Sequence, residues 1–257
     1  MNGKRMSGLL LIILLGVGGS SPLRLGAEDD IQTLLDRLAA RLESAPIASD
    51  WNASVRSTET RMDKNWQPQK RTVVTKFVTI RDGKRTEEIL RAMETEKGRT
   101  KDVTERYARE AAKEAEKIRQ KAEQNREPGG RRELDREQLF PFRPDRRADF
   151  DFDLLEEGDW EGRPVIILQT RAKTAGDDLY EGRYVIDRDS LDVLRVDLTP
   201  SKKPGVLKLI EMAFEFQTLP GGYILPRRTW VRIHVGLVIK NIRIQAEEEY
   251  FDVQVLD

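Results

Sequence analysis

His234 is the only histidine in the chain, so it is the first residue to test for chemistry. It lies between Ile233 and Val235 in an alternating stretch and points away from the face those two share. A general base needs an orienting partner. With no cysteine in the chain, a lone histidine is also a poor start for a zinc site. A structural or surface role suits it better. Asp149, Asp151 and Asp153 share one face of a strand, and calcium favours such oxygen ligands. Same-face neighbours on a strand are about 7 Å apart, however, so three of them cannot close on one ion. They read as a solvated face, as do Glu247, Glu248 and Glu249. Phosphate-loop, dinucleotide and metalloprotease fingerprints are absent, and no serine sits in a nucleophile elbow. Thiol catalysis and disulfide exchange are excluded with cysteine. The expectation is a protein that is not an enzyme and holds no metal or cofactor.

The bulk composition narrows the class. Lys plus Arg number 45 and Asp plus Glu number 45, giving a net charge of zero. A nucleic-acid-binding domain usually carries a basic excess, so no nucleic-acid partner is expected. With 35% charged and 38% apolar residues, the chain reads as a well-solvated globular protein and a monomer. At the N-terminus, Lys4 and Arg5 precede an apolar run, Leu9 to Val17, and then small and turn residues up to Leu25-Gly26-Ala27. This layout resembles a secretory signal peptide, and the run is shorter than the about 20 residues a membrane span needs. Residues 1–27 are therefore expected to be a cleaved, non-lipidated leader, and 28–257 a single exported domain.

The elements that would position any site are mostly strands. Ile31, Leu34, Leu35, Leu38 and Leu42 recur at helical spacing, so the first element is an amphipathic helix, ended by Pro46. Alternation then predicts strands over 51–61 and 71–80, with 65–68 as their turn. Asp82-Gly83 is a hairpin signal, and 86–93 returns. From 102 to 125 good helix formers dominate with equal numbers of acids and bases, so a charged helix is inserted, followed by a loop over 126–136. Further strands are expected at 150–154, 163–173, 179–187, 191–198, 206–217, 223–235 and 241–255. Residues 157–162 read as a turn. The last strand changes phase, which a β-bulge near Glu247 to Glu249 would produce. The fold class is mainly β with some α, a large curved antiparallel sheet. One helix cannot cover such a sheet unless the sheet wraps around it.

This arrangement resembles the periplasmic outer-membrane lipoprotein-sorting proteins, the LolA-like superfamily. The likeness rests on the leader, the first helix and the two long strands from Trp51. It extends to Phe150-Asp151-Phe152-Asp153-Leu154-Leu155 with Trp160-Glu161-Gly162-Arg163-Pro164-Val165. Tyr184-Val185-Ile186-Asp187 followed by Leu191-Asp192-Val193-Leu194-Arg195-Val196 completes it. It covers about residues 29–100 and 139–255, and the charged insertion at about 102–136 is a departure. The resemblance implies an unclosed β-barrel with an apolar interior for acyl chains, and a periplasmic location. It also implies lipid or lipoprotein partners and a role in transport or as a chaperone. The interior would be lined by Trp51, Val55, Phe77, Tyr184, Ile210, Met212, Phe214, Phe216, Val231 and Ile233. The sorting chaperone carries a strand arginine that helps pass cargo on, and Arg56 lies in the corresponding region, with Arg61 nearby.

The same alternation suits a packed core as well as a cavity, so two further functions stand beside the carrier. One is a structural, sensing or protein-interaction module of the envelope, with an envelope protein partner and no lipid cargo. The other is a hydrolase, which requires His234 beside a serine or carboxylate in a cleft.

Overall fold

The structure, a computed structural model of the chain, describes residues 29–46, 48–82, 84–123, 139–203, 205–236 and 241–256. The expected leader (1–27), Gly83 of the hairpin signal and the 126–136 loop lie outside the described residues. The chain forms helix α1 (Asp29–Ser44), then β1 (Trp51–Met62), β2 (Pro68–Arg81), β3 (Lys84–Glu96) and β4 (Arg99–Asp102). Helix α2 (Thr104–Glu123) and a one-turn helix α3 (Pro144–Arg147) follow. The remaining strands are β5 (Phe150–Trp160), β6 (Arg163–Ala172), β7 (Tyr180–Asp187), β8 (Val193–Pro200), β9 (Leu207–Thr218), β10 (Ile224–Gly236) and β11 (Asn241–Val255).

All eleven strands join one antiparallel sheet in the order β4-β3-β2-β1-β11-β10-β9-β8-β7-β6-β5. The first strand pairs with the last, while β4 and β5 are its two ends. This is the unclosed, curved sheet expected from the sequence. Local chemistry sets its turns. Asp63 Oδ1 accepts hydrogen bonds from the backbone N–H of Asn65 and Gln67, both 2.8 Å, at the β1–β2 turn. Asp187 does the same for Asp189 and Ser190 between β7 and β8. Gly221 and Gly222 take the left-handed φ of 91° and 84° that the β9–β10 turn requires.

Residues directly opposite on paired strands share a face, so the register traces one face across the sheet. One row runs Leu168–Tyr184–Val196–Phe214–Thr229–Glu248–Ser57–Val74–Ala92. The next runs Leu198–Met212–Val231–Ala246–Glu59–Thr72–Glu94. Helix α1 lies on this inner face. Its Leu35, Leu38 and Leu42 are buried with Leu168, Tyr184, Val196, Leu198 and Met212, which the helical spacing of those leucines foretold. Phe140 and Phe142 complete the cover, and the Tyr184 ring meets that of Phe142 at 4.9 Å. Arg41 locks the helix by an ion pair to Asp192 at 2.6 Å.

Several local expectations are corrected. β5 does not end at Leu154 but continues to Trp160, because a bulge at Leu155 lets Glu156 resume pairing with Ile167. Only Glu161 and Gly162 turn the chain, both with positive φ. β4 was not expected; its four polar residues carry no alternation to read. The phase change of β11 sits not at 247–249 but at Asp252, where φ is 53° and the β1 register shifts opposite 252–253. Tyr250 therefore joins Val253 and Val255 in the cluster around Trp51, Ala53 and Val55. Phe251 falls on the opposite face, under the Arg56 guanidinium.

Candidate functional site

The inner face changes character along its width. From β6 to β9 it is apolar and covered by α1. On β10 and β11 the apolar character continues as Ile233 opposite Ile244 and Val235 opposite Ile242. These four are half-buried and belong to none of the buried clusters. With Val231, Ala246 and Ile210 they form an aliphatic strip between the α1 cluster and β1. At β1 the rows turn polar, since Ile244 faces Arg61 and Ala246 faces Glu59.

Two ionic clusters form that polar wall. In the first, Lys76 is 8% exposed and its Nζ donates to Glu87 at 3.0 Å and to Glu248 at 2.8 Å. Arg85 Nε donates to Glu87 at 2.7 Å, and the Tyr250 hydroxyl donates to Glu248 at 2.8 Å. Burial pushes both carboxyls up, but Lys76 and Arg85 outweigh it and hold them below the usual range. Burial, then the Glu248 charge, pushes the Tyr250 phenol up. The cluster is charge-balanced and internally satisfied.

The second centres on Glu94, whose side chain is 1% exposed and ion-paired with Lys70 of β2 and Lys101 of β4 at 2.8 Å and Arg106 of α2 at 2.6 Å. Lys101, then Lys70 and Arg106, hold its carboxyl far below the usual range. Asp102 Oδ1 accepts the Thr104 N–H, and Thr104 Oγ1 in turn accepts the Ala92 N–H. Helix α2 thus begins against the β3 edge with Arg106 reaching the inner face. A pocket of about 210 Å³ lies beneath its first turns, lined by Arg61, Lys70, Thr72, Glu94 and Tyr107 among others.

The outer face is mostly a ladder of alternating charge. Arg195, Glu215, Arg228, Glu249 and Arg56 are successive cross-strand neighbours on β8, β9, β10, β11 and β1. Arg195 pairs with Glu215 at 2.8 Å and Arg56 with Glu249 at 3.5 Å, while Arg228 leans to Glu247 at 2.6 Å. A groove of about 810 Å³ lies over this ladder, bordered by Trp160, Glu161 and Phe251.

The ten residues expected to line an interior separate as follows. Tyr184 and Met212 are buried in the α1 cluster, and Ile210, Phe214, Phe216 and Val231 pack against it. Trp51 and Val55 lie in the second cluster, and Ile233 is in the strip. Phe77 does not join them: Val74, Lys76 and Val78 take the inner face, so it points outward. Arg56 is likewise on the outer face, with its side chain 56% exposed. His234 also faces outward, with Nε2 3.3 Å from Asn241 Oδ1 and its ring edge-on to Trp66 at 6.4 Å. The expected solvated acids partly pair, Asp153 with Arg171 and Glu248 with Lys76. Among the described residues no group of three His, Asp or Glu side chains is placed to hold a metal ion. The two ionic clusters were not expected, although Lys76 between Val74 and Val78 was a visible signal.

No protein-family model matches the chain, and no curated protein matches it. Among solved structures it is similar to a domain described as an outer membrane lipoprotein-sorting protein, from Vibrio parahaemolyticus. That pair shares 13% identity over 87% of this chain and 91% of the other, with a TM-score of 0.38. It is similar to a LolA superfamily protein from Nitrosomonas europaea at 10% identity over 88% and 93%, with a TM-score of 0.32. It is also similar to a chain of the Pseudomonas aeruginosa MucA/MucB complex at 14% identity over 89% and 99%, with a TM-score of 0.27. In each case the likeness is one of overall fold.

Proposed function

We propose that this is an exported periplasmic binding protein whose inner face takes an acyl chain of a lipid or lipoprotein. The observation that carries the reading is the aliphatic strip of Ile233, Val235, Ile242 and Ile244. β-branched side chains on a curved inner face usually lie under a cover, yet these four remain half-exposed beside a cluster that α1 does cover. Each CH₂ transferred from water contributes about 0.8 kcal/mol, so a chain laid along the strip needs no dedicated polar contact. The polar wall at Glu59 and Arg61 sets where the apolar part of the ligand ends. The role is binding and hand-over rather than catalysis, since His234 has Asn241 and Trp66 as neighbours.

The test is native mass spectrometry of the mature protein purified from its host without detergent, followed by uptake of a fluorescent fatty acid. Copurifying lipid, or saturable uptake weakened by Ile233→Asn, supports the reading. A bare mass with no uptake sinks it.

A further inference from the structure

One corner of the outer face departs from the balanced ladder. Arg243 on β11 lies directly opposite His234 on β10, and Arg232 shares the His234 strand two residues away on the same face. Same-face neighbours at these spacings lie within about 7 Å. Among the described residues, the carboxylate that ion-pairs with this trio is Glu211, 3.5 Å from Arg232 Nη1. The Arg243 side chain has no ion-pair or hydrogen-bond partner among the described residues. Nε of Arg243 and Nε of Arg232 are both buried and unbonded. Elsewhere on this face Arg56, Arg195, Arg227 and Arg228 each hold a carboxylate.

The cover over this corner is also unusual. Trp66, at the tip of the β1–β2 hairpin, adopts φ 59°, a conformation a bulky side chain rarely takes. Its ring centre is 4.0 Å from the Arg232 guanidinium carbon and 6.4 Å from the His234 ring. A strained residue, two arginines diagonal across β10 and β11, and unbonded guanidinium nitrogens coincide at one place. Backbone strain clusters at ligand clamps, and a buried donor without a partner costs free energy until an acceptor arrives.

We infer that Arg232, Arg243 and His234, roofed by Trp66, form an anion site that takes a phosphate group. The donors come from three side chains at two register positions on two strands, rather than from the single fork that suits a planar carboxylate. An anion with at least three acceptor oxygens meets all of them. The phosphate can belong to a lipid headgroup or be free in solution. The site lies on the opposite face from the aliphatic strip, so it stands whether or not that strip binds an acyl chain.

The experiment titrates the full mature protein with inorganic phosphate, followed by calorimetry and by the shift in Tm. Sedimentation with phosphatidylcholine vesicles, with and without phosphatidylglycerol, runs in parallel. The variants are Arg243→Gln and, as a milder change, His234→Gln. Saturable phosphate binding weakened about tenfold or more in Arg243→Gln supports a site for free phosphate. Binding only to the phosphatidylglycerol vesicles, lost in the same variant, supports a lipid phosphate. Relief of the Arg232–Arg243 repulsion also means that Arg243→Gln without phosphate melts no lower than the wild type. If Arg243→Gln does melt lower, the His234→Gln titration decides. No saturable response to phosphate up to about 10 mM together with no binding to the phosphatidylglycerol vesicles in the wild type, or binding indifferent to both substitutions, overturns the site.

Discussion

Replacing Glu94 by Gln tests whether the buried carboxylate holds the β2–β4 corner and the start of α2 together. Glu94 is 1% exposed, whereas the side chains of Lys70, Lys101 and Arg106 are 28%, 60% and 42% exposed. Breaking a buried pair costs about 3–5 kcal/mol when the partner is stranded. Here the cations can be re-solvated, and the Gln amide keeps one acceptor, so the expected loss is about 2 kcal/mol. The pH dependence follows from the sign of the shift. The folded-state carboxyl is depressed. Its stabilisation is therefore full above the unfolded pKa of about 4.3 and is lost as pH falls through the folded value. The decline is about 1.4 kcal/mol per pH unit, so a gap of about 2 kcal/mol at neutral pH shrinks to a few tenths near pH 3. Urea unfolding of both proteins at the two pH values measures this, and hydrogen exchange should show faster opening of the first turn of α2. A gap below about 0.5 kcal/mol at neutral pH, or one that does not shrink on acidification, would refute the reasoning.

Lys76→Met leaves Glu87 and Glu248 with Arg85 as the one cation of the cluster. A loss of about 2–3 kcal/mol in urea unfolding is expected, with both carboxyls titrating higher by NMR; unchanged carboxyl titration would count against the cluster. Gly182→Ala would place a Cβ 1.8 Å from the Asp197 carbonyl oxygen. The β7–β8 pair must then move apart, and a loss of about 3 kcal/mol in thermal unfolding is expected; a near-wild-type Tm would contradict that close approach. Tyr184→Phe removes the hydroxyl that donates to the Leu139 carbonyl at 3.0 Å. It should cost about 1 kcal/mol and loosen the 139–142 cover, seen as faster hydrogen exchange there. Ile233→Asn should weaken uptake of a fluorescent fatty acid about tenfold while leaving the α1 cluster intact; equal uptake would remove the strip from the ligand path.

Periodicity carries long-range consequences only where one face is continuously buried. Leu35, Leu38 and Leu42 announced α1, and the alternation of Ile210, Met212 and Phe214 announced the strand beneath it. Single residues at irregularities were harder to place. The phase change of β11 was evident from Ile242 to Val255, but not that Asp252 would take the left-handed turn. The extension of β5 past Glu156 depends on a bulge, which leaves no periodic trace. Contacts between distant segments were invisible: Glu94, Lys70, Lys101 and Arg106 are ordinary surface residues to any local reading. Phe77 was set inside on a resemblance, although its strand neighbour Val78 already occupied that face.

The two ends of the sheet are unequal, and that bears on solubility. An open sheet displays unpaired backbone at both margins, an invitation to stack copies end to end. Here one margin, β5, is eleven residues long, whereas the other is stepped, the four residues of β4 pairing only Met93–Glu96 of β3. A copy docking its β4 on a neighbour's β5 could pair only those four residues. β5 also meets the approach with Asp151, Asp153, Glu156 and Glu157 and is kinked at Leu155. Growth by repeated head-to-tail addition requires a margin that matches its opposite at every step. The step left where the chain turns from β4 into α2 interrupts the matched, repeating contact that fibre growth would need.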